Sequence, residues 1–528
     1  MLFNSLPFMG LVTVVLLITL NLHRFGLEAP KYFLIFASLG FYYLWNPSDF
    51  PVLLSSLLAN WLLASWLCRH QGNRRRCLLG LGIGANLLLL IWYKVGPTFM
   101  VSVNMFLPGV PVPVERALPL GISFFTFQQI AYLVSLYRNN DHAKVVDYTF
   151  VICFFPHLIA GPLVRHRDMI KQLNQPSTFA LRSANLFAGS SLFIIGLSKK
   201  VLLADPLGRY SHRLFNIADS GQALDTLYAW IAALSGFLNF YFDFSGYSDM
   251  ACGLALIVGI RLPMNFYSPL KAVSMDEFWN RWNITVTQFI RDHVFRPLAG
   301  KRLVVRRHLA ALPLTMIVAG FWHGATLNFL LWGALHGLVV TYQHARRLVF
   351  RTPAPRNLSQ GRRLVSWGQT QLMLIVLGCI FQTHTFQGAW LTLCALSGFG
   401  GSAQPVVLPS NFHQTWLDGL TMLMGGSLGG PLSALPGTIE AILLILLAWG
   451  ICLFAPNSVE IMGGYRPVLD STNFLRQGPK PKLPGVRFAG HLLAAPGARW
   501  GLILVLLLSL TLLRVLSNAP SPFNYYNY

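Results

Sequence analysis

Long apolar runs separated by short polar joints recur along almost the whole chain, and each is close to the length of a helix that crosses a bilayer. The first lie at about Phe8 to Leu22, Tyr32 to Trp45, Val52 to Cys68 and Cys77 to Tyr93. Residues 95 to 117 hold four prolines and little charge, which predicts an outer loop or a re-entrant piece. A strong helix is expected from Leu118 to Tyr137, closed by Arg138-Asn139-Asn140-Asp141, with Ser123, Thr126, Gln128 and Gln129 marking a face turned to other helices. Pro156 and Pro162 break the run from Phe154 to Asp168 twice. Such a segment predicts an interrupted helix, tolerated at membrane depth only against protein or a water-filled cavity.

Further runs cover about Leu186 to Leu203 and Leu227 to Phe242. Between the latter and the next apolar run, Phe242 to Met250 places Asp243 and Asp249 at the membrane's edge or inside it. They are either a proton relay or, for Asp249, the cap of a helix starting near Ser248. Later spans are the one leading into His323, then Thr326 to Tyr342, Leu364 to Phe381, Ile439 to Phe454 and Leu502 to Leu516. The Gly- and Pro-rich stretches 398 to 437 and 456 to 500 read as surface excursions. The pattern therefore predicts an all-α polytopic integral membrane protein, one membrane-embedded domain over 1–528, with about 11–13 membrane helices plus re-entrant and amphipathic segments.

Residues 274 to 296 differ in kind. Ser274 with Glu277 makes a capping-box start, and Met275, Phe278, Trp279, Trp282, Val286, Phe289 and Ile290 fall on one helical stripe. The spacing predicts an amphipathic helix with Arg281, Arg291 and Asp292 held outward in headgroups or water. Asn283 sits at the border of that stripe, where its amide either bonds locally or faces a cavity.

Composition supports the membrane reading: 54% of residues are hydrophobic and 11% charged. The net charge of +22 does not point to nucleic acid, because the basic residues come in short runs between apolar segments, as in loops facing anionic lipid. Arg69 with Arg74, Arg75 and Arg76 is the clearest run and is expected in the cytoplasm, with the N-terminus outside. Lys199-Lys200 and Arg346-Arg347 are read as solvated, lipid-facing charge. Seven cysteines without a C-x-x-C pair look like small core residues, and no metal-binding spacing is present.

One apolar stretch, Gly320 to Gly337, carries histidines. An imidazole in hydrocarbon costs several kcal/mol without partners, so His323 is a candidate for chemistry, weighed evenly against a packed histidine. Gly320 with Gly324, and Gly333 with Gly337, allow a neighbouring helix to approach closely. At about 100° per residue His336 falls well away from His323 and is expected to pack rather than share its site. His157, between prolines, is a second candidate, better explained as bonded to broken backbone.

Five blocks in order resemble the membrane-bound O-acyltransferase family and its bacterial branch that O-acetylates exported alginate. They are Leu118-Pro119-Leu120-Gly121-Ile122-Ser123-Phe124, Phe155 to Pro162, Asp243 to Met250, Glu277-Phe278-Trp279-Asn280-Arg281-Trp282, and Trp322-His323-Gly324. The core motifs span about 118–337, followed by C-terminal helices over 364–516. The resemblance implies that His323 is the catalytic histidine. It also implies a second polar position at Asn283, where this branch usually has histidine and its sterol and diacylglycerol relatives have asparagine. The aromatic tail Phe523 to Tyr528 departs from the usual ending and is a candidate for partner docking.

The implied function is transfer of acetyl groups, from acetyl-CoA or another acyl thioester on the cytoplasmic side, toward an exported polysaccharide such as alginate. The implied setting is the bacterial cytoplasmic (inner) membrane, with membrane lipid, a periplasmic acetyl-acceptor or transfer protein, and polysaccharide export machinery as partners. Neither a metal nor nucleic acid is implied. Within the family the alternative is D-alanyl transfer to teichoic acid; outside it, a transporter or flippase would also suit intramembrane carboxylates and broken helices.

Overall fold

The computed structural model describes residues 3–106, 118–352, 359–400, 435–469, 497–517 and 521–523. Among these the protein is built of helices, and the β-structure is one isolated bridge between Pro263 and Leu469. The first four helices follow the apolar runs: α1 (Leu6–Leu22), α2 (Glu28–Trp45), α3 (Phe50–Arg69) and α4 (Gly72–Phe106). The loop or re-entrant piece expected over 95 to 117 is not what its described part forms. Residues 95–106 continue α4 through Pro97, as membrane helices allow, and 107–117 lie outside the described residues.

α5 (Ile122–Asn139) starts at Ile122 rather than Leu118 because Gly121 takes a left-handed φ of 68°. A side chain at Gly121 would also strike the Leu158 carbonyl, so only glycine serves both the turn and the close approach. The proline-interrupted segment is present as expected, as α6 (Val145–Cys153), the single turn α7 (Phe155–Leu158) and α8 (His166–Leu173).

α9 (Ser183–Ser198) runs through a π turn at Lys199–Ala204 into α10 (Asp205–Asp219), and both pack on α11 (Thr226–Ile257). α11 is the buried spine of the protein. It passes unbroken through Phe242 to Met250, so Asp249 caps no helix and both carboxylates lie buried along α11. Instead, Gly246 lets the α9 backbone approach α11, because a Cβ there would lie 2.7 Å from the Gly196 carbonyl.

This approach brings Lys199 and Lys200 to the two carboxylates. Lys200 Nζ lies 2.6 Å from Asp243 and 2.9 Å from Asp205; Lys199 Nζ lies 2.6 Å from Asp249, whose other partner is Ser458 Oγ at 2.7 Å. The lysines are therefore not the lipid-facing charge expected from the sequence. Side chains of Lys200 and Asp243 are 2% and 1% exposed, a depth at which each charge requires the other. Lys200 also donates to the Pro522 carbonyl at 2.9 Å and lies under the Phe523 ring. Phe523, the one residue of the aromatic tail that is described, is thus held inside the protein rather than offered to a partner.

The remaining helices are α12 (Met275–Trp279), α13 (Ile284–Ile290), α14 (Arg296–Ala299), α15 (Val305–His323), α16 (Leu327–Leu348), α17 (Gln360–Gln382), α18 (Phe386–Leu396), α19 (Leu435–Phe454), α20 (Ser458–Ile461) and α21 (Ala498–Ser517). Most of the two long excursions lies outside the described residues. α15 and α16 form a tight hairpin through the predicted glycines: side chains at Gly320 and Gly333 would each strike a carbonyl of the opposite helix. Seven helical runs among the described residues are long and apolar enough to cross a bilayer. α2, α5, α11, α15 and α16 reach 18 residues or more with more polar sequences. The architecture is that of an all-α, multi-pass membrane protein.

Removing one partner of a buried ion pair strands the other charge, at a cost of about 3–5 kcal/mol. Lys200→Met should therefore lower the midpoint of thermal unfolding in detergent and the amount of protein in membranes. Lys200→Met combined with Asp243→Asn should recover part of the loss, which a double-mutant cycle on the melting curves checks.

Candidate active site

The site begins with the segment that follows α11. Ser274 Oγ accepts from the Glu277 N–H at 3.1 Å and starts α12, while Glu277 reaches back to the Val273 N–H at 3.0 Å. The expected continuous helix over 274 to 296 does not form. α12 ends after Trp279, and after a short turn Asn283 adopts φ 41°, a left-handed conformation that asparagine tolerates better than most residues, immediately before α13. The Asn283 carbonyl then accepts from the Thr287 N–H at 2.9 Å to open α13.

The break redirects side chains that a single helix would have placed elsewhere. Arg281, expected outward, is 1% exposed and bonds Glu277 at 2.7 Å and the Tyr267 carbonyl at 3.2 Å. Trp282 packs among Phe266, Phe278 and Phe240. Arg291 and Asp292, paired at 3.2 Å, are partly exposed, and Arg291 also lines the cavity described below. Asn283 is buried, and its Oδ1 has no hydrogen-bond partner among the described residues.

His323 is the last residue of α15. The chain leaves the helix at Gly324, and α16 starts only at Leu327. Aromatic rings surround the imidazole, with centroids of Trp322 at 4.4 Å, Phe381 at 4.8 Å and Trp332 at 5.6 Å. His323 and Asn283 line the same cavity, of about 260 Å³, whose wall is mainly aromatic and which reaches Asp276, Arg291 and His344.

His336 lines that cavity too, tilted against Trp332 at 4.7 Å and edge-on to Trp279 at 5.3 Å. It packs, as expected, but its separation from the His323 site does not hold. Counting 100° per residue fails because the chain is not helical between His323 and Leu327. His157 lies elsewhere, fully buried, with Nδ1 3.2 Å from Gln128 Nε2. Asp243 and Asp249 are not among the residues lining the cavity.

One polar network escaped the sequence reading. Asp276 on α12 accepts from Arg347 at 3.2 Å and meets His344 Nε2 at 3.3 Å, and His344 Nδ1 lies 3.1 Å from His308 Nε2. It joins the Asn283 segment to both ends of the α15–α16 hairpin that carries His323. Nothing in the local pattern announces it, since its members come from three separate elements. Burial raises the Asp276 carboxyl, but the hydrogen bond from His344 and the charge of Arg347 outweigh that and hold it below its ordinary value.

The chain matches the membrane-bound O-acyltransferase family over residues 123–384, a span that includes both Asn283 and His323. It is 34% identical to the peptidoglycan O-acetyltransferase of Helicobacter pylori over 407 residues, covering 70% of this chain and 74% of that protein. The chain belongs to the membrane-bound O-acyltransferase family. It is 32% identical to the probable alginate O-acetylase of Pseudomonas aeruginosa, over 76% of this chain and 75% of the relative. Similarity to the teichoic acid D-alanyltransferase of Bacillus subtilis is lower, 26% over 42% of this chain and 58% of that protein. The protein is thus an O-acyltransferase. Its cavity combines apolar and aromatic walls with polar side chains, among them His323, Asn283 and Asp276, and hydrogen bonds to a developing charge are stronger beside such apolar walls than in water.

Because the folded value of Asp276 is depressed, its contribution to stability is present above the ordinary carboxylate pKa and is lost as pH falls through the lower folded value. Thermal stability in detergent should fall more steeply below about pH 4 for the natural protein than for Asp276→Asn. Equal slopes would show that the network adds nothing to folding.

Proposed function

We propose that this enzyme moves acetyl groups from a cytoplasmic acyl thioester, acetyl-CoA or a carrier-bound acetyl group, toward hydroxyls of an exported polysaccharide. The observation that carries the reading is the meeting of His323 and Asn283, from separate elements, on the wall of one cavity. His323 acts as general base: it takes the proton of the attacking hydroxyl, whose oxygen adds to the thioester carbonyl. Asn283 donates its amide N–H to the resulting oxyanion or orients the imidazole. The tetrahedral intermediate collapses with loss of thiolate, which recovers the proton from His323. The unmatched, buried Oδ1 of Asn283 is an acceptor, and it supports the orienting role: it can take a hydrogen bond from an N–H or O–H of the imidazole, a ligand or water where the protein supplies no other donor.

A cavity of about 260 Å³ suits a short acyl group and its thioester rather than a polymer strand. Acetyl is favoured over D-alanyl because the relatives named as acetylating enzymes are the more similar and match more of this chain. The polysaccharide is alginate, peptidoglycan or a related polymer, the acceptors named for those relatives. On this reading the enzyme lies in the bacterial inner membrane, with Arg74 to Arg76 facing the cytoplasm. A periplasmic acceptor or transfer protein and the export machinery complete the transfer.

His323→Ala should lower polymer acetylation by about 10²- to 10⁴-fold with normal abundance in membranes, measured as acetate on exported polymer per extracted enzyme molecule. Retained acetylation per molecule would remove His323 from the chemistry.

Asn283→Ala should cost about 10²- to 10³-fold by the same measure. Because Asn283 is also left-handed, Asn283→Gly, which keeps that backbone without the amide, should be equally impaired. An active glycine variant would make the position conformational only.

A further inference from the structure

We infer that Lys94 is a positioning residue for His323. Lys94 belongs to α4, far from the hairpin in sequence, yet its ammonium donates a hydrogen bond to the carbonyl of Trp322. It also stands 5.2 Å from the centre of the Trp322 ring. One cation therefore grips both the backbone and the side chain of the residue before His323.

The need for such a grip follows from where α15 stops. A helix leaves its last carbonyls without intrahelical partners and gathers partial negative charge there, which a cation relieves. The Trp322 carbonyl is one of these, because α15 ends at His323 and the chain turns away at Gly324. Trp322 is buried, where a donor from the protein serves such a carbonyl in place of bulk water. The Trp322 ring in turn lies 4.4 Å from the His323 imidazole and 5.3 Å from Phe127 of α5, so fixing the indole fixes one wall of the imidazole's cage. Lys94 is not among the residues that line the cavity, whereas Trp322 and His323 are. It acts through them, without touching substrate. This role rests on the proposal that His323 is the base.

The test uses full-length protein in membrane vesicles, with acetyl-CoA as donor and rates expressed per molecule recovered in the monodisperse fraction after extraction. Lys94→Met, which keeps the side chain's length and removes its donor, should lower kcat by about 10- to 100-fold, the range for a displaced catalytic group, with KM for acetyl-CoA within about twofold. Lys94→Arg, which can still donate to the carbonyl and lie on the indole, should restore most of kcat. A kcat within about twofold of normal in Lys94→Met, or a rise in KM alone, overturns the inference. Should Lys94→Met yield no monodisperse protein, Lys94→Arg is compared with Lys94→Gln, and equal kcat values overturn it. Normal kcat in Lys94→Met beside an inactive His323→Ala sinks only the role of Lys94. An active His323→Ala sinks the reading of His323 as base.

Discussion

A backbone inside a bilayer must satisfy its own hydrogen bonds, so a helix can stop at membrane depth only where protein shelters the stop. Both residues proposed for chemistry sit at a helix boundary. Asn283 divides α12 from α13 with a left-handed turn, and His323 ends α15 just before the chain leaves the helix. Each interruption is supported from outside its own segment. The Asn265 carbonyl takes the Ile284 N–H at 2.9 Å, and Lys94 takes the Trp322 carbonyl. The site is in effect built out of the places where helices end.

What shelters these stops is a core held by charge as well as by apolar packing. Lys199 and Lys200 reach across from the end of α9 to Asp249 and Asp243 in the middle of α11, and Lys200 further binds the C-terminal segment through Pro522. Such pairs add little net stability over an apolar core of the same shape, but they cannot be broken cheaply. They set the register of α9 against α11, and with it the floor on which the aromatic residues of α11 meet Trp282.

The cavity itself depends on aromatic bulk. Trp279, Trp332, Phe381 and Trp322 come from four helices and pack around His323 and His336. An O-acyltransferase benefits from this arrangement, because apolar walls lower the local dielectric and strengthen each hydrogen bond made to a developing charge.

The order of the apolar runs, the interruption at Pro156 and Pro162 and the glycine seam of α15 and α16 were legible in the chain, because hydrophobic length, proline and small-residue spacing act locally; His323 and Asn283 stood out there only as candidates. Other features were not. Phe242 to Met250 looks like a polar joint, and becomes the middle of α11 only when lysines from another helix neutralise its carboxylates. Residues 274 to 296 carry a clean helical stripe, yet Asn283 turns left-handed, Arg281 moves inside, and His336 joins the cavity of His323 across a non-helical gap. Local periodicity records which face of a segment is apolar. Where a helix stops, and which charge meets which, depends on partners supplied by segments far away in sequence, and those partners exist only once the helices have packed.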